Sequence, residues 1–502
     1  MVPALKDMTT SIEAPTGTLT LVRLAAELTL KSRRTRAHFM RRLVANMEDA
    51  LDANGVAHAI DVSWGRVFVD AESAAAAPLL ARIFGISSVS PIARVVPARL
   101  DTIVETGREV FADAVRGVHF AVRARRTGTH GFSSRDIEVM LGAALLPGAA
   151  GVRLGDPDVV AHVEVRDERA FLFTARMAGV GGLPLGVEGH AVALLSGGFD
   201  SAVAAWLIMK RGVALDYVFC NLGGDAYERA VLHVAKVLSD EWSWGTRPRL
   251  HIVDFAEPLR ALRQTVKQSY WQVVLKRLMY RTASRIGESV GAAGIVTGES
   301  IGQVSSQTLI NLQAIEPAAS LPVFRPLIGF DKEEIIARAR SIGTAALSEQ
   351  VREYCAISPG KPVTAASAAR VSQAESGFDP AILERAIAAR RTLDLRALAP
   401  TDLVAPYLFT DTIPDDAIIV DIRPPEQFRA MHVPGAVNRD EWDLLRAIPT
   451  LDRNRTWVLC CAHGIQTAYL AEKMQRAGIE AHSFRGGVRA AIRWATERER
   501  EK

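Results

Sequence analysis

The spacing of apolar and polar positions divides the chain into two regions of different pattern. Up to about residue 178, short alternating strands are interrupted by single helices, which indicates small α+β units. From Ala191 onward, apolar strands alternate with long helices, as in AVALLS, then SAVAAWLIMKRG, then LDYVFCNLG. This order predicts a doubly wound parallel sheet. The Gly-rich stretch 180–190 between the two regions is interpreted as a linker.

Three segments give more local predictions. HAIDVSWGRVFVDA (58–71) is predicted to form one strand. The alternating stretch 152–177 contains Asp156-Pro157, and a turn there predicts a hairpin-type pair of strands. The stretch 357–400 is rich in small residues and includes a predicted helix, FDPAILERAIAARR; we interpret it as a linker that would let the last domain move. That last α/β block begins at AIIVDIRPPEQF.

Length and composition restrict the class of protein. With 502 residues the chain should hold several domains, because single cores stop growing beyond roughly 250 residues. No apolar run approaches the ~18 residues of a membrane span, and the first residues lack the pattern of a secretion signal. We therefore expect a cytoplasmic protein with no membrane contact.

The cysteines and the charge narrow the chemistry further. Four cysteines are too few and too scattered for a disulfide framework, and the absence of a CxxC pair disfavours a zinc ribbon or an iron–sulfur site. We predict no resident metal site in the protein. In a reducing compartment, any disulfide would be transient and catalytic. The net charge of +4 permits a nucleic-acid partner but is weak evidence for one.

A basic helix start provides the first candidate surface. LKSRRTRAHFMRR carries six basic residues between Lys31 and Arg42. Such a run fits a solvated helix face, and it fits a surface that contacts phosphates equally well. By themselves these residues leave both interpretations open.

The most informative segment is the loop Ser196-Gly-Gly-Phe-Asp-Ser201, which follows a strand and precedes a helix. Its glycines allow close backbone approach to a ligand, and the helix N-terminus presents free N–H groups, so the loop can cradle phosphates. The lysine of a Walker loop is absent. The alternative is a Gly-rich turn without a ligand. The pattern S-G-G-x-D-S resembles the pyrophosphate loop of adenylating ATP pyrophosphatases. The resemblance implies ATP, with Mg²⁺ as part of the substrate complex, and phosphate contacts by Ser196, Gly197, Gly198, Asp200 and Ser201. Asp200 would also help to hold the Mg²⁺ near the pyrophosphate. NAD, GMP and asparagine synthetases share this loop, so it does not select the substrate.

A later motif narrows the substrate. VTGESIGQVSSQTLINLQAIEPAASLPVFRPLIGFDKEEIIARARSIGT, with KRLMYR before it and EYC after it, closely resembles the tRNA 4-thiouridine synthetases. The resemblance implies further ATP contacts at Leu194, Leu195, Phe219, Cys220, Lys276, Gly298 and Gln307. We expect the side chains of Leu194, Leu195 and Phe219 to be core, with only their backbone reaching the nucleotide.

The resemblance extends over the N-terminal half. FGISSVSPIARV, FAVRARRTG, LGAALL and DPDVVAHVEV resemble a ferredoxin-like domain followed by a THUMP domain, a module that binds tRNA. This implies tRNA contacts by Lys31, Arg33, Arg34, Arg36, Arg123, Arg125 and Arg126. The sequence departs from the family at Arg23-Leu-Ala-Ala-Glu27, where a tyrosine and a glycine usually precede the glutamate, which puts only the first strand in doubt.

The C-terminal block resembles a rhodanese domain through AIIVDIRPPEQFRAMHVPGAVNRD and VLCCAHGIQTAYLAEKMQRAG. Aligned on Gly464, Cys461 opens the active-site loop, where loop N–H groups and the helix dipole favour a thiolate and stabilise a persulfide. Cys460 is predicted to end the strand as a core residue. Many rhodaneses place an arginine where this chain has Gln466, so we expect stabilisation of the sulfur by the backbone alone. Cys355 matches the second functional cysteine of the rhodanese-bearing members.

These resemblances imply an α/β multidomain chain with four predicted domains, which are a ferredoxin-like domain (1–75), a THUMP domain (76–178), an ATP pyrophosphatase domain (183–395) and a rhodanese domain (405–500). The implied reaction is ATP-dependent conversion of the uridine at position 8 of tRNA to 4-thiouridine, through an adenylated uridine and a Cys461 persulfide. Cys355 would resolve the persulfide and form a transient disulfide with Cys461. The implied partners are tRNA, a cysteine desulfurase and, for the thiazole ring of thiamine, a sulfur-carrier protein, and family members are often homodimers. The alternatives are another tRNA thiolase with the same loop and a tRNA-binding protein without catalytic activity.

Overall fold

The computed structural model describes residues 17–63, 66–73, 75–349, 351, 357, 360–399, 403, 406–461 and 466–501. The chain forms two compact units, one of residues 1–187 with 210–212 and one of residues 188–209 with 213–502. Within the described ranges, no helix is both long enough and apolar enough to cross a membrane.

The first unit contains ten strands and five helices among its described residues. In chain order they are β1 (Thr18–Leu24), α1 (Ala26–Thr29), α2 (Arg33–Ala53), β2 (His58–Ser63), β3 (Arg66–Ala71), α3 (Ala76–Ala81), β4 (Ile86–Pro91), β5 (Arg94–Pro97), α4 (Leu100–Val115), β6 (His119–Thr127), α5 (Ser134–Leu145), β7 (Gly151–Val152), β8 (Val159–Arg166), β9 (Arg169–Phe173) and β10 (Met177–Ala178).

Two five-stranded sheets build this unit. The first has the order β10-β4-β1-β3-β2 and is antiparallel throughout, and β4, which follows the predicted domain limit at residue 75, pairs with β1 in it. The second has the order β5-β9-β8-β6-β7, with β6 parallel to both β7 and β8. A shared apolar cluster that includes Leu21, Phe68 and Phe171 joins the two sheets.

Helix α2 shows how the sequence produces this packing. The Ser32 hydroxyl accepts the N–H of Thr35 and so caps the helix start. Phe39, Leu43 and Met47 recur every four residues and are all buried, so one helix face lies on the sheet. The basic residues of the first turns fall on the exposed side.

Two local predictions in this unit are wrong. The segment 58–71 is not one strand, because β2 and β3 pair with each other in an antiparallel hairpin. The hairpin in the stretch 152–177 turns at Asp167-Glu168 and not at Asp156-Pro157. Asp167 adopts a left-handed φ of 47°, a conformation that aspartate tolerates better than most residues. Pro157 lies in the loop before β8, where its fixed φ does not interrupt the ladder.

The second unit contains the remaining described strands and α-helices. They are β11 (His190–Leu194), α6 (Phe199–Met209), β12 (Ala214–Asn221), α7 (Asp225–Trp242), β13 (Arg249–Asp254), α8 (Ala256–Thr265), α9 (Trp271–Ser289), β14 (Ile295–Val296), α10 (Leu309–Ile315), β15 (Val323–Phe324), α11 (Lys332–Ser341), α12 (Ala345–Ser348), α13 (Ala368–Glu375), α14 (Pro380–Ala388), β16 (Arg391–Asp394), β17 (Phe409–Thr410), β18 (Ile418–Asp421), α15 (Pro425–Ala430), β19 (Val437–Asn438), α16 (Glu441–Ala447), β20 (Trp457–Cys460), α17 (Gln466–Arg476), β21 (Ala481–Phe484) and α18 (Gly487–Glu501).

The larger sheet of this unit has the order β15-β14-β11-β12-β13-β16. Its first five strands are parallel, and β16 adds an antiparallel edge to β13. The predicted fold class is therefore confirmed in this domain. The interpretation of 357–400 as a linker is wrong, since α13, α14 and β16 lie within it and pack on the domain.

The smaller sheet has the order β17-β21-β20-β18-β19 and is parallel throughout. β20 lies at its centre and ends at Cys460. Apolar clusters cover both faces of this sheet, one built on α16 and α17 and the other on α18. β20 thus ends, at Cys460, at the carboxyl edge of the sheet, the edge where α/β folds bind ligands.

Candidate active sites

The Gly-rich loop joins the central strand β11 to α6. The Ser201 hydroxyl accepts the N–H of Ser196 at 3.2 Å and donates to the carbonyl of Gly198 at 3.2 Å, so the loop closes on the first turn of the helix. Gly197 has a left-handed φ of 77°, and a Cβ on it would lie 3.0 Å from Val231. Only glycine fits there without strain. The loop thus presents backbone N–H groups and a helix N-terminus to one small volume.

A cavity opens in front of this loop at the carboxyl edge of the sheet. It is lined by all of the predicted ATP contacts except Gly197 and Phe219. These lining residues are Leu194, Leu195, Ser196, Gly198, Asp200, Ser201, Cys220, Lys276, Gly298 and Gln307. Phe219 is a buried core residue whose ring packs edge-on against Tyr227, with 4.9 Å between the ring centroids.

Gly298 lies against the Gly-rich loop as well as lining the cavity. A Cβ on it would lie 2.6 Å from the backbone of Asp200 and Ser201, so the close approach is to the Gly-rich loop itself. Gln307 is held nearby, because its amide oxygen accepts the N–H of Ser300 at 3.4 Å. The later motif therefore supports the loop as well as lining the cavity.

Lys276 faces a buried carboxylate in the cavity. Its Nζ lies 3.8 Å from Oε1 of Glu299, which is 2% exposed and also lines the cavity. Oε2 of Glu299 accepts hydrogen bonds from Tyr280, Thr297 and Arg325. Burial alone would raise the pKa of Glu299, but the charge of Lys276, the Tyr280 hydroxyl and Arg325 outweigh it and hold the pKa below its usual range. The cavity wall therefore carries a fixed negative charge beside a cation.

Asp200 is held by two side chains that sequence reasoning missed. Lys332 Nζ donates to both of its carboxylate oxygens, at 3.0 and 3.3 Å, and Gln303 Nε2 donates at 3.1 Å. Lys332 is the first residue of α11, which Asp331 and Glu334 start with a capping box. The D-x-x-E pattern of FDKEEI was a readable signal for that helix start. No pattern in the sequence predicts the contact of Lys332 with Asp200, which lies 132 residues earlier in the chain.

The thiol site lies in the smaller parallel domain. Cys460 ends β20 in the core, as the pattern predicts, and burial raises the pKa of its thiol to about 12. Cys461 is the next residue and is itself buried. Its carbonyl accepts the N–H of Val488 at 2.9 Å, which fixes its backbone to the start of α18.

A hydroxyl pair serves the sulfur of Cys461. Thr467 Oγ1 donates to Cys461 Sγ at 3.4 Å and lies 2.7 Å from Ser483 Oγ, and both hydroxyl residues are buried. Because Thr467 has one hydroxyl proton, donation to sulfur requires Ser483 to donate to Thr467. The expectation that only backbone groups stabilise this sulfur is therefore wrong. Ser483 lies in β21, a separate strand, and no local pattern predicted that it would join the site.

Residues 462–465 of the predicted loop and Cys355 lie outside the described residues, as does the side chain of Gln466. The predicted Cys355–Cys461 disulfide falls there too. The rhodanese-like signature Asp421-x-Arg423 is described, and it acts as a brace. The Arg423 guanidinium donates to both oxygens of buried Asp421 and to the carbonyl of Met431.

The predicted tRNA contacts all lie in the first unit. Lys31, Arg33, Arg34 and Arg36 are exposed at the start of α2. Arg123, Arg125 and Arg126 lie on β6, where Arg123 donates to the carbonyl of Leu154 and Arg126 to the carbonyl of Gly128. This unit therefore has two basic surfaces, one at the start of α2, which packs on the first sheet, and one on β6 of the second sheet.

A basic cavity in this unit adds residues that sequence reasoning missed. Arg123 and Arg125 line it together with Arg23, Arg176 and His162. Burial and the neighbouring arginines lower the pKa of His162 to about 4, so its ring is neutral at pH 7. Arg23, at the departure from the family pattern, is buried and pairs with Glu164 of the second sheet at 2.9 Å. The departure therefore leaves β1 intact.

Four family models match consecutive parts of the chain. Their descriptions are ThiI ferredoxin-like domain (19–90), THUMP domain (97–175), Thiamine biosynthesis protein (ThiI) (186–379) and Rhodanese-like domain (408–492). The matched ranges follow the two sheets of the first unit and the two sheets of the second.

Curated relatives match over nearly the full length. The tRNA sulfurtransferase of Pyrobaculum aerophilum is 37% identical over 465 residues, which cover 91% of this chain and 95% of the relative. The tRNA sulfurtransferase of Marinobacter nauticus is 36% identical over 471 residues, which cover 91% of this chain and 97% of the relative.

A solved structure gives the same picture. It is described as a 4-thiouridine synthetase–RNA complex with bound ATP, and it is 31% identical to this chain with a TM-score of 0.66. The match covers 75% of this chain and 99% of that one. On the agreement of fold, loop and full-length relatives, this chain belongs to the tRNA sulfurtransferase family, which the ThiI models also describe.

Proposed function

We propose that this protein uses ATP to transfer sulfur to tRNA, converting uridine 8 to 4-thiouridine. The observation that carries the proposal is the presence, in one chain, of a phosphate-cradling cavity and a separate cysteine at the edge of a rhodanese-type sheet. Either site alone would fit other enzymes. Together with the tRNA-directed names of the full-length relatives, they fit an adenylating sulfurtransferase.

The first step activates the base. ATP lies with its β,γ-phosphates against the Gly-rich loop and Lys332, so that O4 of the uracil attacks the α-phosphate. Pyrophosphate leaves, N3–H loses its proton, and the base carries AMP on O4. Lys276 and the loop N–H groups stabilise the negative charge that develops on the phosphates, in a site whose donors are already oriented.

Magnesium fits the residues present. Among the described residues, no group of three or more His, Cys, Asp or Glu side chains could hold a metal ion. Mg²⁺ commonly binds through one or two carboxylates plus substrate phosphates, and Asp200 supplies one carboxylate at the phosphate loop. When bound, the ion would neutralise phosphate charge. Asp200 would exchange part of its contact with Lys332 for it.

The second step moves the sulfur. A cysteine desulfurase loads Cys461 as a persulfide, and the terminal sulfur attacks C4 of the base, so that AMP leaves with O4. The Cys355 thiolate then attacks Sγ of Cys461. The S–S bond breaks, its electron pair stays on the sulfur attached to C4, and 4-thiouridine is released with a Cys355–Cys461 disulfide. A dithiol reductant returns two electrons and resets the pair. Covalent catalysis of this kind divides one difficult displacement into easier ones.

Transfer of radiolabelled sulfur tests the proposal. The protein is incubated with unmodified tRNA, ATP, a cysteine desulfurase and labelled cysteine, and label is expected at position 8 only when ATP is present. Normal tRNA binding without label in the RNA would refute the enzyme and favour a binding protein. Label at another uridine position would favour a different thiolase with the same loop.

The family description names thiamine biosynthesis, which favours a second role. We propose that the Cys461 persulfide also supplies sulfur to a carrier protein for the thiazole ring. This role requires the thiol site but not the ATP cavity. Thiazole formation should therefore survive Asp200→Asn and fail with Cys461→Ala. The homodimer that the resemblance implies stays a prediction, which sedimentation velocity would test.

A further inference from the structure

The rhodanese-like domain contacts the pyrophosphatase domain through α17, the helix that follows Cys461. The carboxylate of Glu472 accepts the N–H of Asp225 at 2.8 Å and that of Ala226 at 2.9 Å. These are the first two residues of α7, whose N–H groups have no partner inside their own helix. Glu472 is 2% exposed, so one domain buries a charge to cap a helix of the other.

Other groups complete this docking contact, by which we mean Glu472, Arg476 and Tyr407 with Asp225 and Ala226. Nη2 of Arg476 lies 2.6 Å from Oε1 of Glu472 and 3.8 Å from Oδ1 of Asp225. The Tyr407 hydroxyl donates to the Asp225 carboxylate at 2.9 Å. A small apolar cluster, in which Leu408 and Ala468 are buried against Ala226 and Phe409, lies beside these polar groups.

The pyrophosphatase domain is shaped to receive the carboxylate. Gly224 precedes α7 with a left-handed φ of 88°, and a Cβ on it would lie 2.5 Å from Oε1 of Glu472. Oδ1 of Asn221 accepts the N–H groups of Gly223 at 3.0 Å and Gly224 at 2.9 Å, and these two hydrogen bonds fix the turn. The turn therefore leaves room at the one point where the glutamate enters.

The contact lies at the working edge of the larger sheet. Asp225 follows the carboxyl end of β12, and Cys220 of that strand lines the cavity. Burial lowers the pKa of Lys473 in α17, and Glu472 and Asp254, the last residue of β13, are near enough to oppose that shift. α17 thus lies over the carboxyl ends of β12 and β13, the side on which β11 enters the phosphate loop.

The first turn of α7 also holds the phosphate loop. The Tyr227 hydroxyl donates to the carbonyl of Ser196 at 3.0 Å, and Tyr227 is the next residue after Ala226. One helical turn therefore contacts both α17, the helix that follows Cys461 in the chain, and the Gly-rich loop at the cavity. A contact that served only to hold the rhodanese-like domain in place could lie anywhere on the pyrophosphatase domain. This one lies at the sheet edge that carries the Gly-rich loop.

We infer that Glu472 is a positioning residue, which docks the rhodanese-like domain on α7 so that the Cys461 persulfide is delivered to the adenylated base of the same chain. The inference rests on the proposed function. The centre of the contact is polar and charge-assisted. Water and counterions can replace the partners of such a polar contact, so the two domains can separate after each transfer. A hydrophobic contact of similar size would hold them together without that means of release.

Hydrogen–deuterium exchange of the full-length protein tests the contact without any assay of activity. Glu472→Ala is compared with Glu480→Ala, which removes an exposed carboxylate of the same domain. Exchange at the amides of Asp225 and Ala226 should become at least about tenfold faster in Glu472→Ala and stay unchanged in Glu480→Ala. Equal exchange in both variants would overturn the inference.

The role in catalysis is tested by separating the steps. Glu472→Ala should load persulfide on Cys461 and release pyrophosphate with tRNA at the normal rates, but sulfur should enter tRNA at least about tenfold more slowly. Free sulfide reaches the adenylate without the rhodanese-like domain. With sulfide as the sulfur source, Glu472→Ala and the unaltered protein should therefore thiolate tRNA at equal rates. A matching loss of pyrophosphate release would show damage to α7 and overturn the positioning role.

A second variant covers the case in which Glu472→Ala misfolds. Tyr407→Phe removes one hydroxyl from the docking contact and should slow sulfur transfer about threefold with the same pattern across the steps. An unchanged transfer rate would overturn the positioning role. If the unaltered protein transfers no sulfur, the proposed function fails, and the exchange result alone then decides whether the domains dock through Glu472.

Discussion

The two sites of the second unit have the same local architecture and different chemistry. In each, a central parallel strand ends in a loop that enters a helix, β11 to α6 in one domain and β20 to α17 in the other. In each, a hydroxyl from the first turn of that helix bonds to the residue that follows the strand or opens the loop. Ser201 accepts from Ser196 N, and Thr467 donates to Cys461 Sγ.

The difference between them lies in what surrounds the shared frame. The phosphate loop has glycines at its tip, and Lys276 and Lys332 from distant helices bring charge to it. The thiol site has a buried sulfur, and a neutral hydroxyl, that of Thr467, donates a hydrogen bond to it. A parallel sheet therefore supplies a position and a helix dipole, and side chains from other elements select between phosphate and sulfur chemistry.

Loss of the sulfur carrier should have the largest effect. Cys461→Ala should reduce sulfur transfer to tRNA by about 10³-fold or more, because no other thiol occupies the loop. Pyrophosphate release should continue, which would separate the two sites functionally. Cys460→Ala is the matched control. It should keep transfer within about twofold and cost about 1 kcal/mol of unfolding free energy, measured by denaturant titration. Equal loss of transfer in both variants would mean that the loop assignment is wrong.

Disrupting the phosphate loop should have the next largest effect. Asp200→Asn weakens the ion pair with Lys332 and removes the carboxylate nearest the phosphates, so pyrophosphate release should fall about 10²- to 10³-fold. Persulfide loading of Cys461 should not change. Asp240→Asn breaks a Lys236–Asp240 pair away from the cavity and should leave both rates intact. Slow loading in Asp200→Asn would show that the two sites are not independent.

The buried carboxylate of the cavity, Glu299, should make the free energy of unfolding depend on pH. The pKa of Glu299 lies below its ordinary value of 4.5, so its ionised form stabilises the fold above that value, and this stabilisation is lost as pH falls through the lowered pKa. Glu299→Gln should cost about 3 kcal/mol near pH 7, and the unfolding curves of the two proteins should converge in acid.

A second buried carboxylate provides the control for Glu299. Glu375 pairs with Arg277 and Arg281 away from the cavity, and its pKa is also lowered. Glu375→Gln should lose stability with the same pH dependence, but the KM for ATP should rise only in Glu299→Gln. A normal KM in Glu299→Gln would place Glu299 in the framework and not in the nucleotide site.

The hydroxyl at the sulfur should have the smallest effect. Thr467→Val keeps the shape but removes the donor to Cys461 Sγ, so persulfide loading should slow about tenfold, in line with the loss of one hydrogen bond. Thr467→Ser keeps a hydroxyl and should restore most of the rate. Loading by Thr467→Val at the normal rate would show that this hydroxyl does not stabilise the sulfur.

Local patterns predicted much of the fold and of both sites. Strand–helix alternation predicted the parallel sheets, and SGGFDS predicted a Gly-rich loop at a ligand cavity because its glycines and hydroxyls lie within six residues of one another. The rhodanese resemblance, aligned on Gly464, assigned Cys461 to the loop, and strand periodicity then placed Cys460 on the opposite face as a core residue. The errors also arose locally: Asp156-Pro157 carries stronger turn chemistry than Asp167-Glu168, but the register of β8 and β9 placed the turn at the latter.

What the sequence by itself determined is therefore the character of short segments: the order of strands and helices, the Gly-rich loop between β11 and α6, and the cysteine that follows β20. Tertiary structure decided which distant side chains serve them. Lys332 meets Asp200, Ser483 meets Thr467 and Glu472 meets Asp225 only because parallel strands bring their carboxyl ends, and the helices that follow, to one edge. Packing over long chain separations sets those contacts, and no local pattern encodes them.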